Sequence, residues 1–386
     1  MMPDGSEATT VKVLSRIADI SAEEWDSCAG GDHPFTRHAF LHALEASGSA
    51  CPESGWAPQH LVALDDKGKA LAVAPLYLKS HSYGEYVFDW GWAEAYHRAG
   101  GRYYPKLQCA VPFTPATGSR LMLRPDAPPS TRQVLIAAML ELAKRSRASS
   151  LHITFPTEEE CRLMGEAGLM TRIGQQYHWE NRGYGSFDDF LGELSSRKRK
   201  AIRKEREQAN SHGVDIRILS GQEIEERHWD AFYRFYLSTI DRKWAHAYLT
   251  KDFFHLLGRN MGDAVVLVVA ERHGNPIAGA LNLKSSDTLY GRNWGASEDL
   301  PFLHFEACYY RAIDYAIAHG LKRVEAGAQG AHKVQRGYLP NPTWSAHWIA
   351  DPGLRAAVAR FLEQEREMIA MDMEETAEAG PYRRQG

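Results

Sequence analysis

No stretch of this sequence is apolar for long enough to cross a bilayer; every apolar run stops short of the roughly 18 residues that a span needs. Cysteine is scarce. The five present (Cys28, Cys51, Cys109, Cys161 and Cys308) are odd in number and scattered, with no CxxC and no Cys/His cluster. That pattern argues against a disulfide framework and against structural zinc. Neither GxGxxG nor GxxxxGK[ST] occurs, so neither common glycine-rich phosphate cradle is encoded. An excess of positive charge is missing too. With 45 Lys+Arg against 49 Asp+Glu the net charge is −4, which excludes a chain that coats nucleic acid over its whole surface. The first residues, MMPDGSEATTVKV, carry neither the charged nor the apolar region of a secretory signal. A cytoplasmic protein with reduced thiols and no metal is expected.

What is present is a repeat. Residues 61–80 (LVALDDKGKALAVAPLYLKS) align without a gap to 267–286 (LVVAERHGNPIAGALNLKSS), with identities at Leu61/Leu267, Val62/Val268, Gly68/Gly274, Ala72/Ala278, Ala74/Ala280 and Ser80/Ser286. Shorter matches keep the same order: Ile20…Trp25-Asp26 with Ile224…Trp229-Asp230, Thr36-Arg37…Phe40 with Thr250-Lys251…Phe254, and Asp89-Trp90-Gly91 with Asn293-Trp294-Gly295. The period is too long for a solenoid. A length of 386 residues suits two globular domains, expected at 11–180 and 181–365, with a frayed tail over 366–386.

Local patterns give both halves one element order. In the first, helix is expected over 20–46, strands over 60–64 and 70–79 about a Gly68 turn, a strand over 86–90, a helix over 130–147 and a strand over 150–155. Residues 100–118 show no usable period. In the second, helices are expected over 229–240 and 250–259, a hairpin over 264–284, and a strand over 288–293. Phe305, Cys308, Tyr309, Ala312, Ile313, Ala316 and Ile317 then form one helical face, closed by Gly320. A strand follows over 321–325, and the tail is helical over 354–378. Hairpin, strand, crossover helix and strand make an α+β class, a mixed antiparallel and parallel sheet flanked by helices, and this order resembles the core of the GNAT acyltransferase fold.

Candidate site residues fall in both halves. Arg292-Asn-Trp294-Gly295-Ala-Ser297 comes within one small residue of the GNAT turn [RQ]xxGx[GA] that binds a pyrophosphate on backbone N–H groups. The first half reads Phe88-Asp-Trp-Gly91-Trp-Ala93 there, so donor binding is expected in the second half, at Arg292, Trp294 and Gly295. After the last strand, Glu325, Gln329, His332, Lys333 and Arg336 lie among small residues. His332 or Glu325 is expected to accept a proton, with Lys333 or Arg336 stabilising an oxyanion. In the first half Asp89, Trp90, Trp92, Tyr103, Tyr104, Lys106 and Arg120 combine aromatic faces with a few charges, a composition suited to a sugar or peptide acceptor and equally to a core. Gln329 joins this acceptor set. The basic stretch RKRKAIRKER (197–206) reads as a helix over 196–208, and Arg199 and Arg203 on one face could meet phosphates.

Several segments together resemble the FemAB-like family of peptidoglycan biosynthesis or recognition, within the GNAT superfamily: HPFTRHAFLHALE, FDWGWAEAY, YYPKLQ, PFTPATGSR, RKRKAIRKER, GRNWGA and EAGAQGAHKVQRGYLP. The resemblance covers about 15–365. It implies tandem GNAT-like domains similar to the Fem aminoacyl transferases, which move an amino acid from aminoacyl-tRNA to an amine of a peptidoglycan precursor. An acyl-CoA or an aminoacyl-tRNA is the implied donor, a small-molecule or peptide amine the implied acceptor, and tRNA the implied macromolecular partner. The rival reading is a non-catalytic muropeptide- or nucleotide-binding module.

Overall fold

A computed structural model of the protein describes residues 9–242, 247–327 and 330–383. The chain divides into two compact units, one formed by residues up to 173 together with 344–365, the other by 174–343 together with residues from 366 onward. This corrects the expected linear domain boundary near 180. The end of the first half belongs to the second unit, and a late segment belongs to the first.

The first unit contains β1 (Thr10–Leu14), α1 (Ala22–Ala29), α2 (His38–Ala46), β2 (Trp56–Pro58), β3 (His60–Leu64), β4 (Ala70–Ala74), β5 (Leu76–Lys79), α3 (Trp90–Arg98), β6 (Lys106–Cys109), β7 (Met122–Leu123), α4 (Thr131–Arg145), β8 (Ser150–Thr154) and α5 (Glu158–Glu166). β9 (Met170–Glu180) carries the chain into the second unit. There follow α6 (Phe187–Glu193), α7 (Ser196–Asn210), β10 (Asp215–Ser220), α8 (Glu226–Arg242), α9 (Lys251–Met261), β11 (Val265–Arg272), β12 (Asn275–Lys284) and β13 (Thr288–Ala296). One continuous helical segment opens as α10 (Leu303–Phe305), passes through a π turn (Glu306–Tyr310) and ends as α11 (Arg311–Ala318). Then come β14 (Arg323–Glu325), β15 (Leu339–Ile349) and α12 (Pro352–Glu378).

Within the second unit the strands lie in the order β10–β11–β12–β13–β14–β9, all antiparallel neighbours except the parallel pair β13–β14. The first unit repeats this as β2–β5–β6–β8–β15, where β6 and β8 are the parallel pair joined through α4. Its strand 70–79 is split at Pro75, which lacks a donor N–H. β4 therefore joins a separate sheet, β1–β3–β4–β7, while β5 stays with β6. The counterpart β12 has no proline at that point and runs unbroken.

Each crossover helix buries an apolar stripe on its parallel pair. Leu135, Ile136, Met139 and Ala143 of α4 pack with Leu107, Leu151 and Ile153. Ala312, Ile313 and Ala316 of α11 pack with Leu289, Val324 and Trp179. Burying a side chain of this size contributes about 1.5–3 kcal/mol. Two further expectations are corrected. Residues 86–90 form no strand, and Trp90 instead opens α3; and the aperiodic 100–118 segment holds β6. The tail is helical to Glu378 as expected, and Tyr382 beyond it donates to Gly337 O at 2.9 Å. Among the described residues no helix is long and apolar enough to cross a membrane.

Candidate functional site

Sheet register in the second unit sets three titratable side chains in one row. Tyr290 of β13 pairs with Glu325 of β14, and Glu325 pairs with His178 of β9. Glu325 is the last residue of its strand; beyond it Ala326 N–H still donates to Tyr177 O at 3.0 Å and Gly327 O accepts from Tyr177 N–H at 3.2 Å, with Gly327 at φ +76°. Gly291 lets β13 pass close by; a Cβ there would lie 3.3 Å from Glu325 O. Glu325 is buried, and its Oε2 faces His178 Nε2 at 3.9 Å. Among the described residues neither Glu325 Oε2 nor either His178 nitrogen has a hydrogen-bond partner. Burial pushes the Glu325 carboxyl up to about 8, Arg323 opposing and Glu180 adding to the shift. Burial, helped by Arg323 and Lys333, lowers His178 to about 3. A buried carboxylate oxygen and a buried imidazole without hydrogen bonds, both with displaced proton affinities, make this row a candidate acid/base site.

The loop after β14 is held by the cations expected to act there. Lys333 is buried and donates to Ala326 O and, at 3.2 Å, to Gly327 O. Arg336 donates to His332 O at 2.7 Å and to Glu205 at 2.8 and 2.9 Å, with its guanidinium 3.4 Å from the Phe305 ring centroid. Both cations therefore brace the backbone around Glu325 and have internal partners. His332 is exposed, its Nε2 2.9 Å from Tyr309 Oη; burial, Arg336 and Lys333 lower its proton affinity. The π turn supports this contact. Glu306 within it is buried between Arg206, at 3.0 and 3.1 Å, and Arg311, at 2.9 Å. Tyr310 donates to Glu205. Gln329 lies outside the described residues.

Arg292, Trp294 and Gly295 do not form the expected turn. They belong to β13, which pairs with β12 as far as Ala296, and the following helix opens only at Leu303. Arg292 falls at a bulge, where the register slips between Leu281 and Asn282. α8 covers the far part of β13: Thr239 donates to Trp294 O at 3.0 Å, and Phe235 O would lie 2.1 Å from a Cβ on Gly295. On α7, Arg206 is paired inward with Glu306 and Asp314 and Arg203 with Asp188 at 2.7 Å. Arg199 is half-buried. The three do not make one open basic face.

The first unit buries a denser network. Lys106, which opens β6, is fully buried and contacts Asp89, Glu85 at 2.7 Å and Ser82 Oγ at 2.7 Å. Lys79, also fully buried, lies 3.8 Å from Glu85 and 3.7 Å above the Trp56 ring. Tyr103 donates to Asp89 at 2.8 Å and sits 3.2 Å from His152 Nε2; His152 Nδ1 meets His347 Nδ1 of β15 at 2.7 Å. Burial would raise Asp89, but Lys106 and His152 outweigh it and hold the carboxyl well below its usual range. Burial brings Glu85 up to about 7 and Lys79 down to about 7. Of the acceptor residues expected here, Asp89, Tyr103, Tyr104 and Lys106 do converge. Trp92 stacks edge-on against His347, with centroids 5.0 Å apart. Trp90 is partly exposed beside Tyr83, and Arg120 is buried, donating to four backbone carbonyls (Thr154, Gly118, Ser119 and Ala116). Arg120 holds its loop.

Sequence reasoning missed the histidines. Each lies between apolar residues in a strand, Leu151-His152-Ile153, Tyr177-His178-Trp179 and Ala346-His347-Trp348. That recurring triplet was the available signal. Among the described residues no group of three or more His, Cys, Asp or Glu could hold a metal ion.

A sequence profile of a family described as peptidoglycan biosynthesis/recognition, FemAB-like, matches residues 16–384. No curated protein matches the sequence. Solved structures share the fold at low identity. FemX superposes with a TM-score of 0.55 at 11% identity, over 88% of this chain and 98% of its own. The C-terminal domain of a putative lysylphosphatidylglycerol synthetase from Agrobacterium fabrum gives 0.54 at 10% identity, over 89% and 95%. L-PGS from Bacillus licheniformis gives 0.50 at 11%, over 84% and 96%.

Proposed function

The chain belongs to the FemAB-like family, and on that premise we propose that it transfers an activated acyl or aminoacyl group to an amine, with the chemistry in its second unit. The observation that carries this reading is the buried Glu325, left without a partner on Oε2 at the end of the parallel strand pair. Ligands in sheets of this kind meet the carboxyl ends of parallel strands. The amine nitrogen attacks the acyl carbonyl and forms the amide bond. Glu325, when ionised, takes the proton that nitrogen loses and returns it to the oxygen or sulfur whose bond to the acyl carbon breaks. His178 keeps the carboxyl desolvated yet within reach of a polar neighbour. Lys333 and Arg336 act as positioning residues by fixing the loop that ends β14.

The form of β13 favours an aminoacyl ester donor over acyl-CoA, since residues 292–296 continue a strand and Ser297 N–H donates to Ile277 O, so this segment is not a turn that cradles a pyrophosphate. A peptidoglycan-precursor amine is the proposed acceptor, on the strength of the family description. The test is a transfer assay with a muropeptide acceptor and either charged tRNA or acetyl-CoA. Wild type should form product with charged tRNA, and Glu325→Gln should lose at least about a hundredfold in kcat. Because the carboxyl titrates near 8 and acts ionised, the wild-type rate should climb as pH rises through 8. A Glu325→Gln rate equal to wild type would remove the assignment, and no product with either donor would remove the transferase reading.

A further inference from the structure

The first unit carries a cavity of 540 Å³ at the amino ends of β6 and β8, lined by none of the residues placed in the transfer chemistry. Arg102, Lys144 and Arg147 surround it, and Tyr96, Tyr104 and Trp348 supply its aromatic walls. Among the described residues none of the three cations has a carboxylate partner. Other cations of this net-acidic chain do have such partners. Arg145, next to Lys144, is bound to Glu141 at 2.7 Å, Arg172 to Glu365, and Arg206 to Glu306 and Asp314.

Arg147 adds an independent sign. It stands just past the end of α4 in the left-handed conformation, φ +51°, while Ala148 N–H reaches back to Ala143 O at 2.9 Å. That is the closing position of a helix where glycine is favoured because any Cβ is strained there. Arginine occupies this strained position and lines the cavity. Tyr96 is seated with equal care: its ring lies where a Cβ on Gly101 would come within 2.4 Å of it. The cavity wall also connects inward. Tyr104 Oη is 2.8 Å from Ser82 Oγ, which accepts from the buried Lys106, and Ser149 Oγ is 3.3 Å from Ser150 Oγ, itself 2.8 Å from His152.

We propose that this cavity is a binding site for a phosphorylated small molecule bearing a flat ring, the phosphates held by Arg102, Lys144 and Arg147 and the ring by Tyr96, Tyr104 and Trp348. The volume falls within the range of small-ligand sites. Guanidinium groups suit phosphate by geometry as well as charge, and aromatic faces accept a flat ring without specifying its edges. Because the site is built wholly in the first unit, it stands whether or not the second unit carries the transfer reaction.

Calorimetric titration of the full chain with adenosine 5′-diphosphate, inorganic pyrophosphate and adenosine tests this. The diphosphate nucleoside should bind more tightly than either part alone. Arg147→Gly removes the charge while relieving the strained backbone, so it should melt no lower than wild type yet bind the nucleotide at least about tenfold more weakly. Trp348→Ala should lower nucleotide affinity toward that of pyrophosphate and leave pyrophosphate binding unchanged. The proposal is overturned if wild type binds neither nucleotide nor pyrophosphate saturably, or if Arg147→Gly combined with Arg102→Ala binds as wild type does.

Discussion

Two lysines and two carboxylates share one buried pocket around Lys106, and the charges there are not equivalent. Lys106 and Asp89 are fixed as an ion pair, since each holds the other in its charged form. Lys79 and Glu85 both sit near 7 and exchange charge within the physiological range. Removing Lys106 leaves Asp89 buried without its lysine partner, and breaking such a pair from one side costs about 3–5 kcal/mol. Lys106→Met should lower stability by that amount in urea denaturation at pH 7, and Lys106→Met with Asp89→Asn should recover much of it. Equal stability of the double and single variants would mean that the pair is not the source of the loss. Glu325 behaves in the opposite sense to Asp89. Its folded value of about 8 stands above its ordinary 4.5, so the folded state holds the extra proton between those values. Its contribution to stability is complete below 4.5 and is lost as pH rises through 8. The pH rise that should increase transfer therefore weakens the fold at the same residue.

Elements whose residues interact locally were readable; those set by distant partners were not. The apolar face from Phe305 to Ile317 does form a helix, but the sequence period cannot reveal the π turn at Glu306–Tyr310. That turn rests on Arg206 and Glu205, about a hundred residues away in sequence. A strand was expected over 86–90, yet residues 86–89 are irregular and Trp90 opens α3, whose Trp92 is buried in the first unit's core. Glu325 stood out in the sequence as a candidate because it ends a strand among small residues. Its partner His178 did not, because β9 pairs with β14 across more than a hundred residues. Glycine at 295 shows the same non-local control. Alanine there would drive its Cβ onto the Phe235 carbonyl, forcing α8 away from β13. Gly295→Ala should cost about 3 kcal/mol by overpacking, read as a lower urea midpoint with an unchanged slope. A loss within a few tenths of a kcal/mol would mean that α8 yields freely.

At the scale of the whole chain the duplication and the strand topology act together. Each unit has a parallel pair bridged by a helix, and in each the strand beside that pair is distant in sequence: residues 345–349 of β15 pair with β8, and residues 178–180 of β9 pair with β14. Each such strand also brings a histidine, His347 opposite His152 and His178 opposite Glu325. Matched topology with unmatched chemistry is what a duplicated chain gives once its halves take separate roles. It follows that the first half of the sequence is not an independent folding unit. Without 344–365, residues 1–173 would leave one edge of β8 unpaired and strip Leu354, Val358, Leu362 and Ile349 from the cluster around Trp92 and Tyr103. An open edge and an uncovered apolar surface together favour aggregation over folding. A fragment of residues 1–173 should therefore show no cooperative thermal transition by circular dichroism, while the same fragment fused through a flexible linker to 344–365 should show one. A sharp transition from residues 1–173 alone would mean that β15 is dispensable to the fold of the first unit.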